Sequence, residues 1–276
     1  MLRSLLVGVN GTNLSRRAFE LGLHWAKCLR IPLTCIGVID REGLISNGLD
    51  AVGGPLSECD LNSTKLITES GAIQAAVAAA GRTADACGVE CHGIVCEGNP
   101  AEVLGLEAQR HDLLVIGRGL SPLEYRDRPI STMLSEIIRH SCRPVVIAGE
   151  HVPVASDVWI AYDGSLQAAR TLQSFVQSGL YFGHPLHVLE VGETMGGPTS
   201  LRRAIDYLKL HGRSAELHVL PAHANIAESL VHYVREFPCG LLVIGAYGRP
   251  HTGELVLGSG ARAILNRVPS PIFLYH

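Results

Sequence analysis

The sequence predicts an α/β fold made of two tandem, doubly wound, mostly parallel sheets. Three observations predict it: short apolar runs alternate with helical stripes, the same order of elements occurs twice, and the strand ends carry Gly, Asn and Asp. Strands that alternate with helices give a parallel sheet covered on both faces, because each parallel strand needs a crossover connection. Right-handed crossovers then leave ligand clefts beyond the carboxyl ends of the strands, where the winding direction changes.

The elements follow in order. "LLVGVNGT" (5–12) matches "VWIAYDGS" (158–165), each an apolar strand ending in Asn/Asp-Gly-Thr/Ser. A helical stripe follows each: Ala18, Leu21, Trp25 and Leu29 in the first half, Ala169, Leu172, Val176 and Leu180 in the second. "PLTCIGVID" and "PLHVLEVGE" are second strands opened by proline. Later, "DLLVIGRG" (112–119) matches "GLLVIGAYG" (240–248), and "CRPVVIAG" (142–149) matches "PSPIFLYH" (269–276). Asp163 stands 153 positions after Asn10, but Gly245 only 128 after Gly117, so the second half is shorter by 25 residues between its second and fourth strands. The surplus of the first half includes "REGLISNGLDAVGGPLSECDLNS" (41–63), whose glycine and polar content predicts a mobile loop. The halves divide in the short, polar, proline-bearing stretch 149–157, giving expected domains of 1–150 and 151–276.

Composition sets bounds. At 276 residues and 47% hydrophobic the chain can bury a real core, and a net charge of −3 gives no electrostatic case for nucleic acid or an anionic membrane. No apolar run approaches a membrane span, and "MLRSLLVGVNG" reaches a turn too soon for a signal peptide, so a cytoplasmic location is expected. Seven of the eight cysteines lie in the first half, mostly among apolar neighbours, which reads as buried reduced thiols. Cys87, Cys91, His92 and Cys96 could suggest a metal site. On a strand, however, Cys91 and Cys96 point to opposite faces, and no metal is expected there.

The most informative stretch is "GAYGRPHTGELVLGS" (245–259), between a buried strand and a helix. Glycines in such a turn let backbone N–H groups face an anion, and a helix opening at Gly258–Ser259 adds free N–H groups, the positive dipole end and a hydroxyl. Asp163, across the cleft, suits a ribose hydroxyl or an exocyclic amine, and the backbone near Val191 could read a base edge. The set points to a nucleotide. There is no Gly-x₄-Gly-Lys-Ser/Thr P-loop and no Gly-x-Gly-x-x-Gly after the first strand.

Gly-x₂-Gly-x₉-Gly-Ser at Gly245, Gly248, Gly258 and Ser259, together with "YDGS" at the end of the first strand, resembles the universal stress protein family. The whole chain resembles its tandem members. The resemblance implies an ATP-binding, Rossmann-like domain of the adenine-nucleotide α-hydrolase type, five-stranded with order 3-2-1-4-5. It also implies domains paired through their last strands, "PVVIA" and "PIFLY", with ATP (with or without Mg²⁺) as ligand. By family pattern Asp163 and Val191 meet the adenosine, and Gly245, Gly248, Gly258 and Ser259 meet ribose and phosphates. Gly164 and Ser165 join the expected binding residues, as does Arg249, a candidate phosphate clamp in the loop.

The first half departs from this pattern. Asn10 replaces the aspartate, Leu120 stands where the second glycine belongs, and Ser131 and Thr132 replace Gly258 and Ser259 in a loop one residue longer, stiffened by Pro129. Arg118, Arg126 and Arg128 read as a solvated loop. The first half is therefore expected to be a degenerate partner in an intramolecular pseudodimer, with a homodimer and a protein partner left open. His251 and Glu254 lie in the second-half loop without forming a recognisable catalytic pair, and His218 and His223 fall in no ligand spacing. The expected function is an ATP-binding stress-response regulator with at most weak ATPase activity. The alternative is a slow ATP hydrolase or phosphotransferase using the same site.

Overall fold

A computed structural model of the chain describes residues 1–41, 55–118, 130–149, 157–190, 198–220, 226–237, 239–245 and 259–275. Two compact units emerge: Arg3–Cys142, and Met1–Leu2 together with Arg143–His276.

The first unit runs β1 (Leu5–Gly8), α1 (Asn13–Leu29), β2 (Leu33–Ile39), α2 (Pro55–Ala86), β3 (Cys91–Glu97), α3 (Pro100–Ala108), β4 (Leu113–Ile116) and α4 (Ile130–His140). Its strands lie parallel in the order β3-β2-β1-β4. β1 and β4 are buried throughout, as strands covered on both faces must be, whereas the edge strand β3 is largely exposed. The chain winds outward from β1 to β3, then crosses back to β4 on the other side of β1. That reversal makes the carboxyl ends of β1 and β4 the switch point.

The second unit begins with β5 (Val145–Ile147) and continues β6 (Val158–Tyr162), α5 (Leu166–Ser178), β7 (Leu186–Glu190), α6 (Pro198–Leu210), β8 (Ala215–Val219), α7 (Ile226–Glu236), β9 (Leu241–Gly245), α8 (Ser259–Arg267) and β10 (Ile272–Tyr275). Its order is β8-β7-β6-β9-β10-β5. The five strands from β6 onward are parallel and follow 3-2-1-4-5. β5 adds a sixth, antiparallel to β10, with Val146 opposite Phe273. The two last strands of the sequence repeat therefore do lie side by side.

Local chemistry explains the helices. Thr12 and Ser165 cap α1 and α5, accepting from Ser15 N–H and Ala168 N–H at 3.1 Å each. Ala18, Leu21 and Trp25 are buried on α1, and Leu172 and Val176 on α5, while Leu180 is buried just beyond its end. One expectation is corrected. Of the stretch 41–63 read as a loop, residues 55–63 belong to α2, a helix of 32 residues opened by Pro55, whose fixed φ and missing N–H suit a first helical position. Residues 42–54 lie outside the described residues. Among the described residues no helix is long and apolar enough to cross a membrane.

Candidate functional site

The carboxyl ends of β6 and β9 lie side by side, since Ile160 pairs with Val243 two residues before each strand end. Asp163 follows β6 and is exposed. Its Oδ1 accepts from Ser165 N–H at 2.9 Å, closing an Asx turn in which Gly164 takes φ +78°. The same turn delivers Ser165 to its capping position on α5. Gly245 ends β9 against the first turn of that helix: a Cβ built on it would lie 3.4 Å from Ala168 N and 3.5 Å from the Gln167 carbonyl carbon. The structure thus brings Asp163, Gly164, Ser165 and Gly245 onto one rim. α8 begins at Ser259, where the sequence expected a helix start. Val191, Gly248, Arg249 and Gly258 lie outside the described residues, as do the side chain of Ser259 and the loop residues His251 and Glu254.

Two neighbours were not found in the sequence. Tyr162, the last residue of β6, is 6% exposed. Burial pushes its phenol above the ordinary value, the Asp163 charge adds to that, and the positive charge of Arg203 on α6 opposes it. Arg203 therefore sets a cation within electrostatic reach of the same rim. Only its place on the helix after β7 could have signalled this.

The first half repeats the turn with different chemistry. Asn10 Oδ1 accepts from Thr12 N–H (3.1 Å) and Thr12 Oγ1 (2.7 Å), and Gly11 takes φ +84°. Asn10 is only 6% exposed, and its own N–H donates to Ser15 Oγ. The cleft beside it is walled by Val9, Ile36, Val38 and Leu104, which offer no charge to an anion. Gly117, at the end of β4, has a packing reason to lack a side chain: a Cβ there would sit 2.6 Å from the Leu14 carbonyl carbon and 2.8 Å from Ser15 N. Arg118 is a second correction. Expected in a solvated loop, it is instead 8% exposed, directly after Gly117, which passes tightly against α1. Leu120, Arg126, Arg128 and Pro129 lie outside the described residues, as do the side chains of Ser131 and Thr132.

Cys91 Sγ lies 3.6 Å from Cys35 Sγ on β2, His92 Nε2 faces Glu90 at 3.2 Å, and Cys87 is exposed beyond α2.

The universal stress protein family model matches residues 156–276, the segment that carries the Asp163–Gly245 rim. The second half of the chain is thus similar to the universal stress protein family. A curated relative, the universal stress protein Slr1230 of Synechocystis, is 27% identical over 167 residues, which are 59% of this chain and 58% of the relative. This chain thus matches little more than half the length of that protein. A universal stress protein of Archaeoglobus fulgidus superposes with a TM-score of 0.71 at 18% identity, covering 99% of this chain and 98% of that one. One from Pseudomonas aeruginosa, described as putative, reaches 0.58 at 12%, covering 99% and 93%. At these identities the likeness is one of fold, and it extends over both halves of the chain.

Proposed function

We propose that this chain is a tandem universal stress protein whose second half holds one ATP and whose first half is a degenerate partner without a nucleotide site. The protein then acts as a regulator whose ligand orders a surface read by another protein, in the cytoplasm. Asp163 would accept from the adenosine with Gly164, Ser165 and the Val191 backbone beside it. Gly245, Gly248, Gly258 and Ser259 would receive ribose and phosphates, with Arg249 as clamp and Mg²⁺ as an optional companion of the phosphates.

The observation that carries the reading is the contrast between equivalent turns. Asp163 is charged, exposed and uses one oxygen in its turn, whereas Asn10 is neutral and buried. Gly245 has room for a Cβ against its own unit, whereas Gly117 has none. Protein packing accounts for the glycine of the first half. Among the described residues packing does not require a glycine at 245, which supports close approach of a ligand there.

Calorimetry with ATP should give about one site per chain and a ligand-dependent rise in melting temperature. Asp163→Asn copies the first half, keeps the turn acceptor and removes the charge. It should weaken binding by about 1–3 kcal/mol with the fold intact. Two equivalent sites, or unchanged affinity in this variant, would refute the assignment. Turnover should fall far below about 10 per second, a median enzyme rate. Brisk phosphate release lost in His251→Ala or Glu254→Ala would favour the hydrolase instead.

A further inference from the structure

In the second sheet, three groups converge that have no part in the ATP reading. Strand register places them: Trp159 on β6 is opposite His187 on β7, His187 is opposite Glu216 on β8, and His218 is two residues beyond Glu216. All four side chains therefore project from one face, with Trp159, His187 and Glu216 each at the second position of its strand and His218 further along β8. Asp163 and Gly245 lie past the carboxyl ends.

The distances are those of a metal site. His187 Nδ1 and His218 Nε2 are 3.0 Å apart, and Glu216 Oε2 is 3.7 Å from each. A point equidistant from these three atoms lies ~2.0 Å from each, which is the length of a zinc–nitrogen or zinc–carboxylate bond. A second observation concerns the far side of the His187 ring. A histidine that gives Nδ1 to a metal must carry its proton on Nε2. Here Nε2 is buried without a hydrogen-bond partner and lies 3.6 Å from Asp157 Oδ2. On closing to hydrogen-bond distance that carboxylate would accept from the Nε2–H and fix the tautomer, as acidic groups behind metal-bound histidines do. The His187 ring is itself held, stacked on Trp159 at 4.4 Å between ring centres, while Trp159 packs edge-on against Tyr233 of α7.

We propose that His187, Glu216 and His218 bind a divalent transition-metal ion, zinc by preference, with water as the fourth ligand and Asp157 positioning His187. Two imidazoles and one carboxylate suit zinc, and three protein ligands with an open fourth position describe a site accessible to exchange. Glu216 is 76% exposed on the edge strand, so the ion enters from solvent without any opening of the core. Bound metal would tie the edge strand β8 to β7. In its absence one imidazole donates to the other across the 3.0 Å gap, which keeps the donors close.

The test uses the full chain, stripped with a chelator and titrated with Zn²⁺ by calorimetry and with Co²⁺ by absorption. One equivalent should bind, and Co²⁺ should show ligand-field bands without thiolate charge transfer, which excludes the cysteines. His218→Ala and Glu216→Gln alter the partly exposed edge strand and should fold, as checked by circular dichroism, while losing at least tenfold in affinity. Asp157→Asn should lose about 10- to 100-fold, the range for groups behind a ligand. No binding at all, a thiolate signature, or Zn²⁺ affinity unchanged in His218→Ala and Glu216→Gln would reduce the cluster to aromatic and polar packing. ATP binding is not required in any arm, so this proposal can fail independently of the nucleotide site.

Discussion

Cys35 and Cys91 sit on neighbouring strands with their sulfurs 3.6 Å apart, and their surroundings drive them in opposite directions. The hydrogen bond between the two thiols holds the Cys91 thiol below its ordinary value, against burial and the nearby Asp85 charge. The same bond, with burial and the neighbouring Cys91 charge, pushes the Cys35 thiol far up. The pair therefore ionises at Cys91, with Cys35 remaining a proton donor. Thiolate is the reactive form, so the half-buried Cys91 should alkylate well before the buried Cys35, beginning at a lower pH than an unperturbed cysteine. Peptide mapping of iodoacetamide labelling across a pH series measures this. Equal labelling of both residues, or Cys35 reacting first, would contradict it.

At the scale of elements, the glycines at the carboxyl ends of β4 and β9 differ in how tightly the described residues pack against them. Gly117→Ala would force a Cβ to within 2.6–2.8 Å of the backbone at Leu14 and Ser15, where no flexible side chain can give way. It should destabilise the fold by about 1–3 kcal/mol, as overpacking does. Gly245→Ala meets ordinary contacts at 3.4 Å and beyond, so the fold should tolerate it, whereas a ligand approaching the same backbone should be displaced. Thermal melts and ATP titrations of the two variants check the pair, and a Gly245→Ala protein that binds ATP normally would remove the glycine argument. Elements of this kind were legible in the sequence because they are local: Asn10-Gly11-Thr12 and Asp163-Gly164-Ser165 specify their turns and caps within a few residues. The helix from Pro55 was missed because glycines just before it dominated a composition reading. His187 and His218 are 31 residues apart and meet only through β7–β8 pairing. A Glu-x-His on one strand face was the sole local hint.

At the scale of the whole molecule, the sequence repeat and the compact units divide the chain differently, and β5 is the difference. By repeat it is the last strand of the first half, but it clusters with Arg143–His276 because it pairs with β10. Ile272, Phe273 and Leu274 are fully buried, and Val145, Val146 and Ile147 opposite them are no more than 1% exposed. Gly149, just after β5, passes so close to Pro269 and Ser270 that a Cβ could not be placed there. A fragment of residues 151–276 would leave β10 as a bare apolar edge, an invitation to pair with another chain. It would also lose burial worth about 1.5–3 kcal/mol for each large side chain set free. Residues 143–276 keep the sixth strand. The longer fragment should stay soluble and melt cooperatively, and the shorter should aggregate or self-associate at equal concentration, as read by sedimentation and calorimetry. A 151–276 fragment that is monomeric and equally stable would show that β5 closes the edge of β10 without being needed by it.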